Sequence, residues 1–184
     1  MTKRIQRHID AKNFLRVEVK DRDGDGTTVV WGYVFAQSKE LLLMCDTNGL
    51  YYDGLVVVLK NDIDKIDHGP YARFLQEVLR KERIEASIFK RVRPLLWPLG
   101  TPKEAMEYVF RSGMAAILDD IFADGGDAIG PFIKVGKKRL TMRHIYGRGK
   151  YRKKPLAIKY GKVHLVKFDS PYGNAYLKHT VDTK

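Results

Sequence analysis

The sequence predicts a mainly β, α+β protein: two tandem small β-barrels joined by a helical, proline-containing connection. Three observations lead there. Short β-branched and apolar runs bounded by turn residues recur in both halves of the chain. The halves match one another at a spacing near 100 residues. Helical periodicity is confined to the stretch between them.

In the first half, Val29 to Phe35 is β-branched and aromatic, and Leu41 to Met44 and Leu55 to Leu59 are short apolar runs. Asn48-Gly49 and Asp53-Gly54 supply the positive-φ positions that tight connections require. Next, Pro70 is placed to open a helix whose apolar stripe is Tyr71, Phe74, Leu75, Val78 and Leu79, with Arg73, Glu77, Arg80 and Lys81 on the wet side. Pro94 and Pro98 make Arg91 to Gly100 an irregular linker, apolar enough to pack between the halves and limit their relative motion. Thr101-Pro102-Lys103-Glu104 reads as a capping box opening a second helix that Ser112-Gly113 ends. In the second half, Gly136-Lys137-Lys138 is a hairpin. Beyond it Leu140 and Met142 point inward and Arg139, Thr141 and Arg143 outward, and Leu156, Ile158 and Tyr160 repeat the pattern with Lys159 outside.

The internal match is specific in its spacing. Gly32-Tyr33-Val34-Phe35 aligns with Gly130-Pro131-Phe132-Ile133, and Leu42-Leu43-Met44 with Leu140-Thr141-Met142, both at an offset of 98. Val56, Val58, Ile63 and Ile66 meet Leu156, Ile158, Val163 and Val166 at 100, and Pro70-Tyr71 meets Pro171-Tyr172 at 101. Upstream, Phe14 to Val19 lies opposite Met114 to Leu118. Drifts of this size need only small loop insertions, so an internal duplication is expected. The boundaries that follow are 10–82 for the first barrel and its helix, 83–100 for the linker, and 101–184 for a helix and the second, strongly basic barrel.

The strand pattern from Gly32 and Leu41, repeated from Gly130 and Leu140, resembles the Sm-like group of small SH3-type barrels. The helix from Thr101 takes the place of that fold's amino-terminal helix. The first hairpin, Ser38-Lys39-Glu40, and the second, Gly136-Lys137-Lys138, both lack the asparagine typical of Sm proteins. Neither half has their arginine-glycine motif after its long loop. The resemblance therefore implies a fold and carries over no site residue.

Composition excludes several classes. With 184 residues, 44% of them apolar, the chain can bury one medium core or two small ones. Its opening Lys3 to His8 lacks the apolar core of a secretory signal, and no run reaches the roughly 18 apolar residues of a membrane span. Cys45 is the only cysteine, which rules out an intrachain disulfide and a cysteine zinc site and fits the cytoplasm. Asp21 to Gly26 resembles the start of a calcium loop, but Gly32 stands where a bidentate Glu is required, so a hairpin turn is the better reading. Cys45, His68 and His164 have no spacing that assembles a catalytic triad, and there is no phosphate-binding glycine loop, so a non-enzymatic protein without a cofactor is expected.

The charge is local. The formal net charge is +12, and between Asp127 and Asp169 there are thirteen Lys or Arg and no acid. From Gly32 to Ile66 three basic residues face five acidic ones. A surface this positive implies an anionic partner, since an idle one intersperses acids to limit repulsion. Nucleic acid, RNA or DNA, is the expected partner, held through phosphates by Lys137, Lys138 and Arg139 on the hairpin and by Arg143, Arg148, Lys150, Arg152, Lys153 and Lys154 on the following long loop. Tyr151 is a candidate for base stacking, and Tyr146 and His144 lie among the same charges. The alternative partner is an acidic protein, with the tandem barrels acting as an interaction scaffold. No amphipathic basic helix argues for a membrane surface.

Overall fold

A computed structural model describes residues 2–20, 26–119, 121–122, 126–147 and 149–181. The chain divides into two compact units, Met1–Thr101 and Pro102–Lys184.

The first unit opens with α1 (Thr2–Asp10), followed by β1 (Phe14–Lys20), β2 (Thr27–Gln37), β3 (Leu41–Asn48) and β4 (Tyr51–Leu59). A 3-10 turn at Lys60–Asp62 leads into β5 (Ile63–Asp67), then α2 (Pro70–Lys81) and α3 (Ile84–Val92). The sheet order is β4-β3-β2-β1-β5, with every pair antiparallel. The second unit has α4 (Pro102–Ser112), β6 (Ala115–Leu118), β7 (Ala128–Val135) and β8 (Arg139–Met142). The short strands β9 (Ile145–Tyr146) and β10 (Lys150–Tyr151) precede β11 (Leu156–Lys159), a 3-10 turn at Tyr160–Lys162, β12 (Leu165–Phe168) and α5 (Pro171–His179). Its order is β11-β8-β7-β6-β12, with antiparallel pairs, and β9 and β10 form a separate hairpin.

The curvature of each unit has a local cause. A Cβ on Gly32 would lie 1.9 Å from the carbonyl oxygen of Cys45, and one on Gly130 would lie 2.2 Å from that of Arg143. Only glycine lets β2 approach β3, or β7 approach β8, this closely. Just beyond each glycine the register slips, between Val34 and Ala36 in β2 and between Phe132 and Lys134 in β7. Such a bulge bends the strand and increases its twist. The inner face of the first sheet buries Leu15, Val17, Val30, Met44 and Val56; that of the second buries Phe132, Leu140, Met142 and Ile158.

Several expectations are corrected. Small barrels were expected. Among the described residues β4 pairs with β3 and β5 with β1, and within neither unit do the outermost strands of its order pair with each other, so the sheets are open. Bulges curve the sheets, but closure also needs a matched tilt and stagger of all strands. Helices are not confined to the connection. Helix α1 hides its apolar signal in Ile5 and Ile9, of which only Ile5 is buried, and docks by polar contacts: Arg4 Nη2 donates to Ile66 O at 2.9 Å and Gln37 Nε2 donates to Thr2 O at 3.1 Å. Helix α5 starts at Pro171 behind Ser170, whose Oγ accepts from Gly173 N, although Gly173 and Asn174 are poor helix formers. The linker is less irregular than predicted, since α3 reaches Val92 and a 3-10 turn covers Arg93–Leu95.

Asp53-Gly54 is not a turn but lies inside β4, at the register shift between Asp46 and Thr47 on β3. Helix α2 buries Ala72, Gln76 and Leu79, while Tyr71 and Phe74 are mostly exposed. The buried Gln76 accepts from Phe14 N at 3.1 Å and donates to Lys12 O at 2.7 Å, so a hydrogen-bonding side chain holds the helix to the start of β1. Gly113, at φ 67, ends α4 as expected. Of the Asp21 to Gly26 run, only Gly26 lies within the described residues.

Candidate nucleic-acid interface

The site is built on β8. Its burial alternates, with Arg139 exposed, Leu140 buried, Thr141 half-buried and Met142 buried, because each successive side chain faces the other way. Arg139 pairs across the sheet with Lys159, and Thr141 pairs with Ala157 on one side and Lys134 on the other. Lys134, Arg139 and Lys159 therefore share the outward face of β7, β8 and β11. Lys137 and Lys138 form the exposed tip of the β7–β8 hairpin, closed by Gly136 N donating to Arg139 O at 2.9 Å. The following 3-10 turn adjoins the tip, with Tyr160 N donating to Lys138 O at 3.3 Å and Tyr160 Oη donating to Gly136 O at 3.0 Å.

The second group of cations leaves from the other end of β8, about 10 Å away at the rise of a strand. Lys137 and Lys138 therefore lie at one end, and Arg143, Lys150, Arg152, Lys153 and Lys154 follow from the opposite one. The outward face carrying Arg139 and Lys159 runs between them. The long loop is ordered by its own hairpin, in which Lys150 pairs with Tyr146 and Tyr151 with Ile145. Val181 N donates to Gly149 O at 3.3 Å and ties this hairpin to the chain after α5. Arg148 lies outside the described residues.

The aromatic residues divide in role. Tyr151 receives the Arg143 guanidinium over its ring at 3.9 Å, a cation–π contact that occupies one face and fixes Arg143. Arg152 lies 5.3 Å from the Phe122 ring centroid. Tyr146 is 42% exposed and is the more open of the two tyrosines. His144 is buried rather than displayed. Its Nδ1 accepts from Ile129 N at 3.2 Å, and burial, with Arg152 nearby, holds the imidazole below its ordinary pKa. It anchors the base of the hairpin to β7.

Among the described residues, Lys134, Lys137, Lys138, Arg139, Lys150, Arg152, Lys153, Lys154 and Lys159 make no ion pair with a carboxylate. Arg139 and Lys159 are like charges directly opposite, which costs stability. The matching positions of the first unit, Leu41 and Leu59, are likewise cross-strand partners but apolar, and Leu41 is buried. Lys134 and Lys159 belong to this face although the hairpin and loop alone are the obvious basic clusters. The pairings of Arg139 with Lys159 and of Thr141 with Lys134 are what add them. No three metal-ligating side chains converge among the described residues.

No protein-family model matches the chain, and no curated protein matches it. Fold and surface together define a class: a mainly β, α+β protein in which each unit orders five antiparallel strands and the second carries a cationic outer face.

Proposed function

We propose that this protein is a non-enzymatic polyanion-binding module that holds RNA or DNA through its second unit. The observation that carries the reading is the set of uncompensated cations on the β7–β8–β11 face and the two loops that leave its ends. Maintaining like charges in cross-strand contact costs stability, and phosphates would remove that cost. Contacts of this kind fix position on a backbone and read no sequence, so binding is largely sequence-independent.

We also infer that the chain is one Sm-like unit used twice. Support comes from matched details of register. Val34 pairs with Met44 and Phe132 with Met142; Leu42 pairs with Val58 and Leu140 with Ile158. The bulge, the bend glycine, the hairpin hydrogen bond and the 3-10 turn recur at offsets of 98 to 100. The copies differ in charge, which supports different partners for them.

A salt titration of filter binding to a single-stranded RNA tests the nucleic-acid reading. If about six cations engage phosphates, log K falls against log salt with a slope of about −4. Affinity independent of salt would rule the reading out. Binding only to an acidic protein partner would favour the scaffold alternative instead.

A further inference from the structure

The first unit contains a groove of about 910 Å³ that the cationic face of the second unit does not explain. Its floor is apolar: Val34 and Phe35 from β2, Phe89 from α3, and Leu96, which is 40% exposed. Its rim is cationic: Lys12, Lys90 and Arg93. Backbone geometry creates it. Arg83 at φ 59 turns the chain between α2 and α3, and α3 then buries Ile88 and Val92, leaving Phe89 half-buried and Lys90 exposed. Lys12, at φ 49 just past α1, supplies the facing wall.

Charge complementarity specifies the occupant. None of the three rim cations pairs with a carboxylate among the described residues. Glu85 lines an adjoining cavity and accepts from Arg80 Nε at 2.7 Å. The aromatic floor is already engaged: Phe35 and Tyr33 lie against Phe89 at 4.9 and 5.2 Å between centroids, and Lys12 Nζ lies 5.3 Å from its centre. A nucleobase needs an open ring face to stack on, whereas a flexible hydrocarbon chain packs against ring edges and aliphatic side chains. Volume and composition match a small-ligand site with an apolar body and a few placed polar groups.

We infer that this groove binds a small amphiphilic anion, an apolar chain ending in a carboxylate or phosphate, with the chain on Phe35, Phe89 and Leu96 and the head between Lys90, Arg93 and Lys12. Fatty carboxylates and alkyl phosphates share this chemistry, and the test separates them.

The experiment uses the full chain and measures displacement of 1-anilinonaphthalene-8-sulfonate by decanoate, decyl phosphate and decanol, below micelle formation. Both anions are expected to outcompete decanol by about tenfold, and the better of the two identifies the head group. Dodecanoate should bind about tenfold more tightly than decanoate, as two further methylenes are buried. In the Lys90→Ala/Arg93→Ala variant, whose changes are at exposed positions, the preference over decanol should fall at least about fivefold. Amide chemical shifts should move around Phe35, Phe89 and Leu96. Equal binding of decanoate and decanol by the natural chain, an unchanged preference in a variant with unaltered thermal unfolding, or shifts confined to the second unit would overturn the inference. None of these results depends on nucleic-acid binding, so the two proposals fail independently.

Discussion

At the residue scale, the two bend glycines set the fold. A methyl group at Gly32 or Gly130 would overlap a backbone carbonyl that has nowhere to move, because both strands belong to one ladder. Gly32→Ala is expected to cost at least about 3 kcal/mol in chemical denaturation. Gly49→Ala, with no atom within 4 Å of its Cβ and only an adverse φ of 65, should cost about 1 kcal/mol. Equal costs would contradict the steric account. Cys45 is a second marker of the same packing. Burial pushes its thiol up to about 12 even though Tyr33 N donates to its Sγ, so a thiolate-directed reagent at about pH 8 should label it only after unfolding. Lys60 illustrates a cation that is structural. It is 3% exposed, and its Nζ donates to Gln37 Oε1 at 2.7 Å and Ser38 O at 2.6 Å. Reversing it to Glu would turn two acceptors against a buried carboxylate, so the sound control for surface charge in the first unit is the exposed Lys39.

At the element scale, β8 and β11 trade stability for charge. Lys159→Glu places a carboxylate opposite Arg139 and should stabilise the protein by about 0.5 kcal/mol while weakening polyanion binding. A loss of both together would point to a packing role for Lys159 instead. The α1 helix brings a pH dependence. His8 lies 5.9 Å from His68, with Arg4 nearby and Asn13 Nδ2 at 3.0 Å from its Nδ1. Burial, then His68 and Arg4, lowers its pKa from 6.5, and His144 is lowered in the same direction. A base with a depressed folded pKa binds fewer protons folded than unfolded. Stability is thus full above pH 6.5 and declines as pH falls below it, visible as a falling urea midpoint. Element legibility followed burial. Strands with two-residue alternation, such as Arg139 to Met142, were readable because one face is wet. The continuous run Leu41 to Cys45, buried throughout, was readable as a strand but without a distinction between its two faces. Helix α1 escaped because its residues are mostly polar and its docking uses hydrogen bonds, which leave no periodic trace, and α5 because Gly173 and Asn174 are poor helix formers. The Pro171 that opens α5 was visible in its match to Pro70, though its role as a helix start was not drawn from it.

At the scale of the whole molecule, the two units share a strand order and differ in what their surfaces present. The charge imbalance was plain in sequence, since it needs only counting. Its geometry was not. That the hairpin and long loop leave opposite ends of β8, with Arg139 and Lys159 facing outward between them, depends on register across β7, β8 and β11. The central claim is that the cations of the second unit, as a group, hold a nucleic-acid backbone. Its most direct test compares Lys137→Glu/Lys138→Glu/Arg139→Glu with Lys39→Glu for binding to a single-stranded RNA at fixed salt. The triple reversal should weaken binding roughly 100-fold and flatten the log–log salt slope by about 2, with unfolding unchanged, while Lys39→Glu stays within about twofold of the natural chain. Equal effects of the two, or a triple variant that binds as well as the natural chain, would contradict it.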